Sequence, residues 1–139
     1  MIALDTSVVV AAFASWHEAH RSAASCLSRG PRIPAHVMLE TYAVLTRLPP
    51  PHRAPSHLVL AFLKQRFKAS PLTLPGMAQA SLLERISASG LSGGAIYDAL
   101  IGATARHAGA TLITRDLRAA RAYDVVGAKY EYLDEQPRS

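Results

Sequence analysis

The sequence is short of acidic residues, of cysteine and of long apolar runs, and each shortage excludes a class of protein. Cys26 is the only cysteine among 139 residues, which excludes an internal disulfide framework and a cysteine-rich zinc site. We expect it to be a small core residue. No apolar stretch approaches the ~20 residues that a membrane-spanning helix needs, and the N-terminus lacks the basic start and cleavage site of a signal peptide. The expected compartment is therefore the cytoplasm.

The charge of the chain is unbalanced toward the positive. Ten acidic residues stand against fifteen Lys and Arg, with a net charge of +5 and a sequence pI of about 9.8. This favours an anionic partner such as RNA, although a basic surface with no binding role explains the charge alone equally well. Basic residues cluster at 64–68. A second group follows or flanks Asp116 and consists of Arg106, Arg115, Arg118 and Arg121. A basic rim around an acidic centre suits a metal enzyme that acts on a polyphosphate chain.

The length and the apolar pattern predict one α/β domain, residues 1–139, with half of its residues hydrophobic. Helices are predicted at 7–13, 17–29, 35–48, 56–67, 76–89, 95–108 and 117–122. Strands are predicted at 2–5, 71–74, 111–114 and 130–133. The proline-rich segment 48–55 is predicted to be a loop within the domain. Alternating strands and helices predict a mainly parallel sheet with helices on both faces.

Two of the acids, Asp5 and Asp116, follow predicted strands directly. Each has a simple explanation taken singly, because Asp is a favoured N-cap and a helix is predicted after each strand. In parallel sheets, however, sites form beyond the carboxyl ends of the strands. We therefore expect these two carboxylates to lie at one edge of the sheet despite their separation in sequence.

Two further acids, Glu40 and Asp98, lie inside predicted helices. The helical neighbours of Glu40 are largely apolar, and a buried charge is costly unless it is paired or bound to a metal. His36, one turn earlier, is the nearest possible partner. Asp98 lies in the first turn of its helix, where the dipole favours an anion. Small residues follow Asp98 along the same helix, so this helix is expected to pack close to the sheet.

Together the four carboxylates predict a metal site. Carboxylates that share a site repel one another and raise their own pKa values. A hard divalent cation relieves that repulsion, and oxygen ligands indicate Mg²⁺ or Mn²⁺. Thr114 adds a hydroxyl at the same strand end, where it is expected to hold a ligand carboxylate or a metal-bound water; an ordinary β-branched strand residue is the equally good alternative.

Three short motifs, in order, resemble those of the PIN domain family. Residues 2–9 (IALDTSVV) resemble its opening motif, residues 97–105 (YDALIGATA) its third acidic motif, and residues 110–116 (ATLITRD) its closing Thr-x-Asp motif. Glu40 fits the second acidic position. The resemblance spans residues 1 to about 133 and is closest to the toxins of VapBC-type toxin–antitoxin pairs.

The resemblance implies a three-layer α/β/α sandwich and a Mg²⁺- or Mn²⁺-dependent endoribonuclease. Asp5, Glu40, Asp98 and Asp116 would be its catalytic metal ligands, and cleavage would leave a 5′-phosphate and a 3′-hydroxyl. It also implies a homodimer that forms a heterotetramer or larger assembly with a cognate antitoxin. Arg115, with Arg118 behind it, is the candidate contact to the RNA phosphates; the alternative is an exposed charge that only steers RNA.

Three other hypotheses remain at this stage. A metal-free ribonuclease would need a histidine pair, and His17 and His20 are the nearest candidates. A non-catalytic RNA- or DNA-binding regulator would use the basic surface without turnover. A phosphoryl-transfer enzyme with an Asp nucleophile usually has a second Asp two residues later, where this chain has Ser7.

We also expect partner surfaces on helices 35–48 and 56–67, which are too apolar for one small domain to cover.

Overall fold

The computed structural model describes residues 1–134 of the chain. Its helices are α1 (Thr6–Phe13), α2 (His20–Cys26), α3 (Ala35–Arg47), α4 (Ser56–Arg66), α5 (Gly76–Ser89), α6 (Ala95–His107) and α7 (Ala120–Val125). Its strands are β1 (Ile2–Leu4), β2 (Thr111–Thr114) and β3 (Tyr130–Tyr132). The end of the predicted domain, residues 135–139, lies outside the described residues.

The three strands form one parallel sheet in the order β1-β2-β3. Ala3 pairs with Leu112, and Ile113 pairs with Glu131. Consecutive strand residues point to opposite faces, yet both Ala3 and Leu4 are buried, as is each of the last three residues of β2. Both faces of the sheet are therefore covered, as expected of a parallel sheet in an α/β sandwich. This architecture confirms the predicted fold class.

A glycine sets the distance between α6 and α7. A Cβ on Gly102 would lie 2.9 Å from Cδ1 of Tyr123 and 3.0 Å from Cγ2 of Val126, closer than packed side chains allow. Glycine at this position lets Tyr123 lie flat against α6, where it is almost completely buried. A small second core of Ile86, Ala99, Ala122 and Val126 joins α5, α6 and α7.

The sequence placed α5 and β2 correctly, but it misplaced several other segments. The predicted helix 17–29 begins only at His20, and its last three residues form a 3-10 turn that ends at Gly30. The predicted strand 71–74 is only an isolated bridge between Leu72 and Pro34. Prolines at 71 and 75 bracket it, and proline cannot donate to a strand ladder. The predicted helix 117–122 begins three residues later, at Ala120.

Helix α3 is less buried than its apolar sequence predicts. Val37, Thr41 and Leu45 face the core. Leu39, however, is 73% exposed and Tyr42 is 39% exposed. Helix α3 packs against α1, α4 and α6, yet these two side chains leave part of its apolar surface uncovered within the described residues.

The helices of the described region are all too short or too polar to cross a membrane.

Candidate metal site at the carboxyl edge of the sheet

Asp5 lies at the junction of β1 and α1, where it caps the helix and is only 2% exposed. Its Oδ1 accepts hydrogen bonds from the hydroxyl of Ser7 (2.5 Å) and the backbone N–H of Val8 (3.3 Å). Its Oδ2 accepts one from the phenol hydroxyl of Tyr123 (2.8 Å). Burial raises the pKa of Asp5, and contacts with Ser7, Thr114 and Tyr123 offset part of that shift. Asp5 is thus both the N-cap of α1 and a buried carboxylate at the edge of the sheet.

Asp98 carries the strongest sign that the four acids interact. It lies in the first turn of α6, half-buried. Burial is the largest cause that raises its pKa from 3.8 to about 6; the negative charges of Asp116, Glu40 and Asp5 add to the rise, and His36 opposes it. Three acids from three other segments therefore act on the Asp98 carboxyl group.

Asp116 is held by the turn that follows β2. Its backbone N–H donates to the hydroxyl of Thr114, which is completely buried, over 3.0 Å. Its Oδ1 accepts a hydrogen bond of 2.9 Å from the backbone N–H of Arg118. Asp116 therefore caps the turn 117–119 rather than α7, whose N-cap is Ala119. Thr114 therefore orients the backbone of Asp116; its role in holding a ligand carboxylate or a metal-bound water stays a prediction.

Glu40 is less buried than predicted, with its side chain 31% exposed. Its Oε2 lies 3.3 Å from Nε2 of His36, the partner that helical spacing suggested. The ring of His36 stacks on Tyr97 of α6, with centroids 5.0 Å apart and planes within 1° of parallel. Tyr97 is the residue before Asp98, so this stacking contact links the part of α3 that carries Glu40 to the part of α6 that carries Asp98. Glu40 is therefore not the buried charge that its apolar helical neighbours predicted, because its carboxylate remains partly solvated.

The basic residues around the site fall into two groups. Nη2 of Arg115 lies 3.5 Å from Oε1 of Glu18, and the Arg118 side chain is 97% exposed with its Nε 3.8 Å from Oδ1 of Asp116. Arg106 and Arg121 instead donate to the backbone carbonyls of Val126 and Ser89. These two hold α6 and α7 in place, so the predicted basic rim is reduced to Arg115 and Arg118.

Two residues that donate hydrogen bonds to the Asp5 carboxylate, Ser7 and Tyr123, were not predicted from the sequence. Ser7 bridges β1 and β2, because its hydroxyl donates to Asp5 and accepts from the backbone N–H of Arg115 over 2.9 Å. Its place two residues after Asp5, in the first helical turn, could have revealed it. Tyr123 lies 118 residues from Asp5, and no local pattern indicates this contact.

The four carboxylate groups are chemically suited to bind a divalent cation. Four carboxylates are the hard oxygen ligands that Mg²⁺ and Mn²⁺ prefer. Within residues 1–134, no three His, Cys, Asp or Glu side chains stand close enough together to ligate one ion. After burial, the charges of Asp116, Glu40 and Asp5 contribute to the raised pKa of Asp98, and a cation would offset that contribution.

The fold is an α/β domain in which Asp5 and Asp116 follow two parallel strands, and the charges of Asp116, Glu40 and Asp5 act on Asp98. The chain belongs to the PIN domain family, which matches residues 2–125. It is 47% identical to Ribonuclease VapC40 of Mycobacterium tuberculosis, strain ATCC 25618 / H37Rv, over 133 residues that cover 96% of this chain and 99% of the relative. It is 35% identical to Ribonuclease VapC27 of the same strain over 127 residues, 91% of this chain and 92% of the relative. The resemblance to VapC-type ribonucleases drawn from the motifs is thus confirmed.

Proposed function

We propose that this protein is a metal-dependent endoribonuclease that acts as the toxin of a type II toxin–antitoxin pair. The observation that carries the proposal is the electrostatic coupling at Asp98, whose pKa is raised by burial and by the charges of three other carboxylates, Asp116, Glu40 and Asp5. Relatives that span nearly the whole chain and are named ribonucleases support it. The net charge of +5 suits an RNA substrate.

In this proposal Asp5, Glu40, Asp98 and Asp116 hold Mg²⁺ or Mn²⁺. The bound cation supplies Lewis acidity, which neutralises charge on the phosphate and makes water a stronger acid. Water adds to the phosphorus as the bond to the 3′ oxygen breaks, which leaves a 5′-phosphate and a 3′-hydroxyl.

The remaining residues position the acids and the substrate. Ser7 and Tyr123 fix the two oxygens of Asp5. Thr114 fixes the backbone of Asp116. Arg115 contacts a substrate phosphate beside the carboxylates, and the exposed Arg118 adds attraction at longer range.

The partners we propose are a second copy of the chain and a cognate antitoxin, in a heterotetramer or larger assembly in the cytoplasm. Four exposed apolar side chains support this: Leu39 and Tyr42 on α3, and Leu58 and Leu60 on α4. Apolar surface of this kind is usually covered by a partner.

The experiment that tests the function is cleavage of total RNA by the purified chain with Mg²⁺, with Mn²⁺ and with EDTA. The Asp98→Asn variant should lose cleavage while its circular dichroism spectrum stays unchanged. Glu84→Gln removes the same charge from the exposed surface of α5 and should cleave normally. Cleavage that survives EDTA would contradict the metal mechanism, and RNA binding without any turnover would favour the non-catalytic regulator.

A further inference from the structure

Two surface loops bring aromatic rings together. Trp16 lies between α1 and α2 and is 48% exposed. His52, in the proline-rich loop, packs against it with ring centroids 4.0 Å apart and planes tilted by 34°. The ring of His17 lies 5.8 Å from that of Trp16. The only tryptophan of the chain therefore contributes to a surface cluster of flat rings and not to the core, where its large apolar area would stabilise the fold most.

The proline-rich loop is fastened so that His52 is held in place. The backbone N–H of His52 donates to the carbonyl of Pro49 over 3.0 Å. Nε of Arg53 donates to the carbonyl of Leu48, and the N–H of Ala54 to that of Leu45, each over 2.9 Å. These bonds tie the loop to the end of α3, so the stack on Trp16 exists before any ligand binds.

The ring pair adjoins the carboxylates through a short connection. Trp16 precedes Glu18 by two residues, a span of at most about 7 Å of chain. Oε1 of Glu18 lies 3.5 Å from Nη2 of Arg115. Arg115 in turn precedes Asp116 and is bonded through its N–H to Ser7. A chain of nucleotides lying across the acidic edge can therefore reach both Arg115 and the rings.

We propose that Trp16 and His52 form a stacking platform for an unpaired base of single-stranded RNA whose backbone crosses the carboxylate site. The inference rests on the proposed function. Exposed aromatic rings stack on any base, whereas paired bases have no free face to offer. Two cations connect to these rings along the chain and suit phosphates: Arg53 follows His52, and Arg115 contacts Glu18, two residues after Trp16. The net charge of +5 also favours an anionic occupant such as RNA.

The chain offers a direct probe, since its fluorescence from tryptophan comes from Trp16 alone. The Asp98→Asn variant, which keeps the RNA intact, is titrated with a single-stranded oligoadenylate and with a paired duplex of the same length. Binding is followed in parallel by the anisotropy of labelled RNA. The single strand should quench Trp16 as it binds, and the duplex should not. Failure of the single strand to bind, or binding without a change in Trp16 fluorescence, would overturn the proposal.

A variant series tests the platform without fluorescence. Trp16→Ala, made in the Asp98→Asn background, should weaken single-strand binding roughly 5- to 150-fold. Trp16→Phe should restore most of the affinity because it keeps a stacking ring. Leu83→Ala removes an apolar side chain that is 65% exposed on α5 and should bind as the parent does.

The same series separates this inference from the proposed function. Wild-type chain that cleaves RNA, together with a Trp16→Ala variant of unchanged RNA affinity, would keep the function and overturn the platform. Loss of self-association or of antitoxin binding in Trp16→Ala, with RNA affinity unchanged, would likewise assign the rings to a protein partner and contradict the proposal.

Discussion

The phenol hydroxyl of Tyr123 donates to Oδ2 of Asp5 over 2.8 Å and joins the last helix to the end of the first strand. Burial, together with the adjacent charge of Asp5, raises the pKa of Tyr123, so the phenol remains protonated and remains a donor. With Ser7 on the other oxygen, both sides of the Asp5 carboxylate are fixed. A carboxylate held in this way is oriented before it binds a cation.

Tyr123→Phe removes this hydrogen bond and leaves the ring in place against Gly102. We expect a roughly 10- to 100-fold loss of Mn²⁺ affinity, measured by calorimetric titration, because the variant frees one side of Asp5. The matched control is Tyr130→Phe, which removes the hydroxyl that donates to Asp124 over 2.9 Å on the surface. Equal Mn²⁺ affinity in the two variants would show that Tyr123 has only a structural role.

The stability of the metal-free protein should fall as the pH rises through the titration of Asp98. Its pKa is raised from 3.8 to about 6, so between those values the folded state binds more protons than the unfolded state. The loss begins near pH 4 and is complete above about pH 6. It amounts to something on the order of 1–2 kcal/mol after allowance for solvent screening. Urea denaturation of the wild type and Asp98→Asn across this range measures it.

The Asp98→Asn variant should lack this part of the pH dependence, since the amide does not titrate. The pKa of Asp5 is raised as well, so both proteins keep the part of the pH dependence that Asp5 contributes. Addition of Mg²⁺ above pH 6 should stabilise the wild type more than the variant. Identical pH profiles for the two proteins would mean that Asp98 is not under the charge of its neighbours.

Gly102→Ala tests the close approach of α6 and α7. The added Cβ meets Tyr123 at 2.9 Å and Val126 at 3.0 Å, so the variant should be destabilised by about 1–3 kcal/mol. Because Tyr123 must move, Mn²⁺ affinity should also fall. Gly76→Ala, where the added Cβ meets nothing within 4 Å, should unfold at the same urea concentration as the wild type or higher.

Leu39→Ser tests the proposed partner surface on α3. This side chain is 73% exposed, so its replacement should leave the folded monomer intact and weaken self-association, measured by sedimentation equilibrium. Met77→Ser on α5, where the side chain is 87% exposed, is the control and should associate normally. A wild-type chain that is monomeric at micromolar concentration would contradict the homodimer.

Local sequence patterns predicted the structure correctly where the residues of one segment are enough to determine its conformation. Gly90 ends α5 in the left-handed conformation, and β2 ends where its apolar run ends. These patterns gave wrong predictions where the conformation or burial of a segment depends on its packing against a second segment. The segment 71–74 has a strand's composition, but its only described bridge partner is Pro34. Glu40 looked buried from its helical neighbours, whereas the packing of α3 leaves its face partly open to water.

The sequence by itself determined the order of the helices and the position of Asp5 and Asp116 after two strands. A parallel sheet then requires those strand ends to share an edge, because parallel strands run in one direction. Only the tertiary structure decided what surrounds these acids: the hydroxyl of Tyr123 on Asp5, the absence of a side chain at Gly102, and the ring of His52 on Trp16. Each of these contacts joins residues on separate elements, so it depends on packing distances and angles that no local pattern of residues encodes.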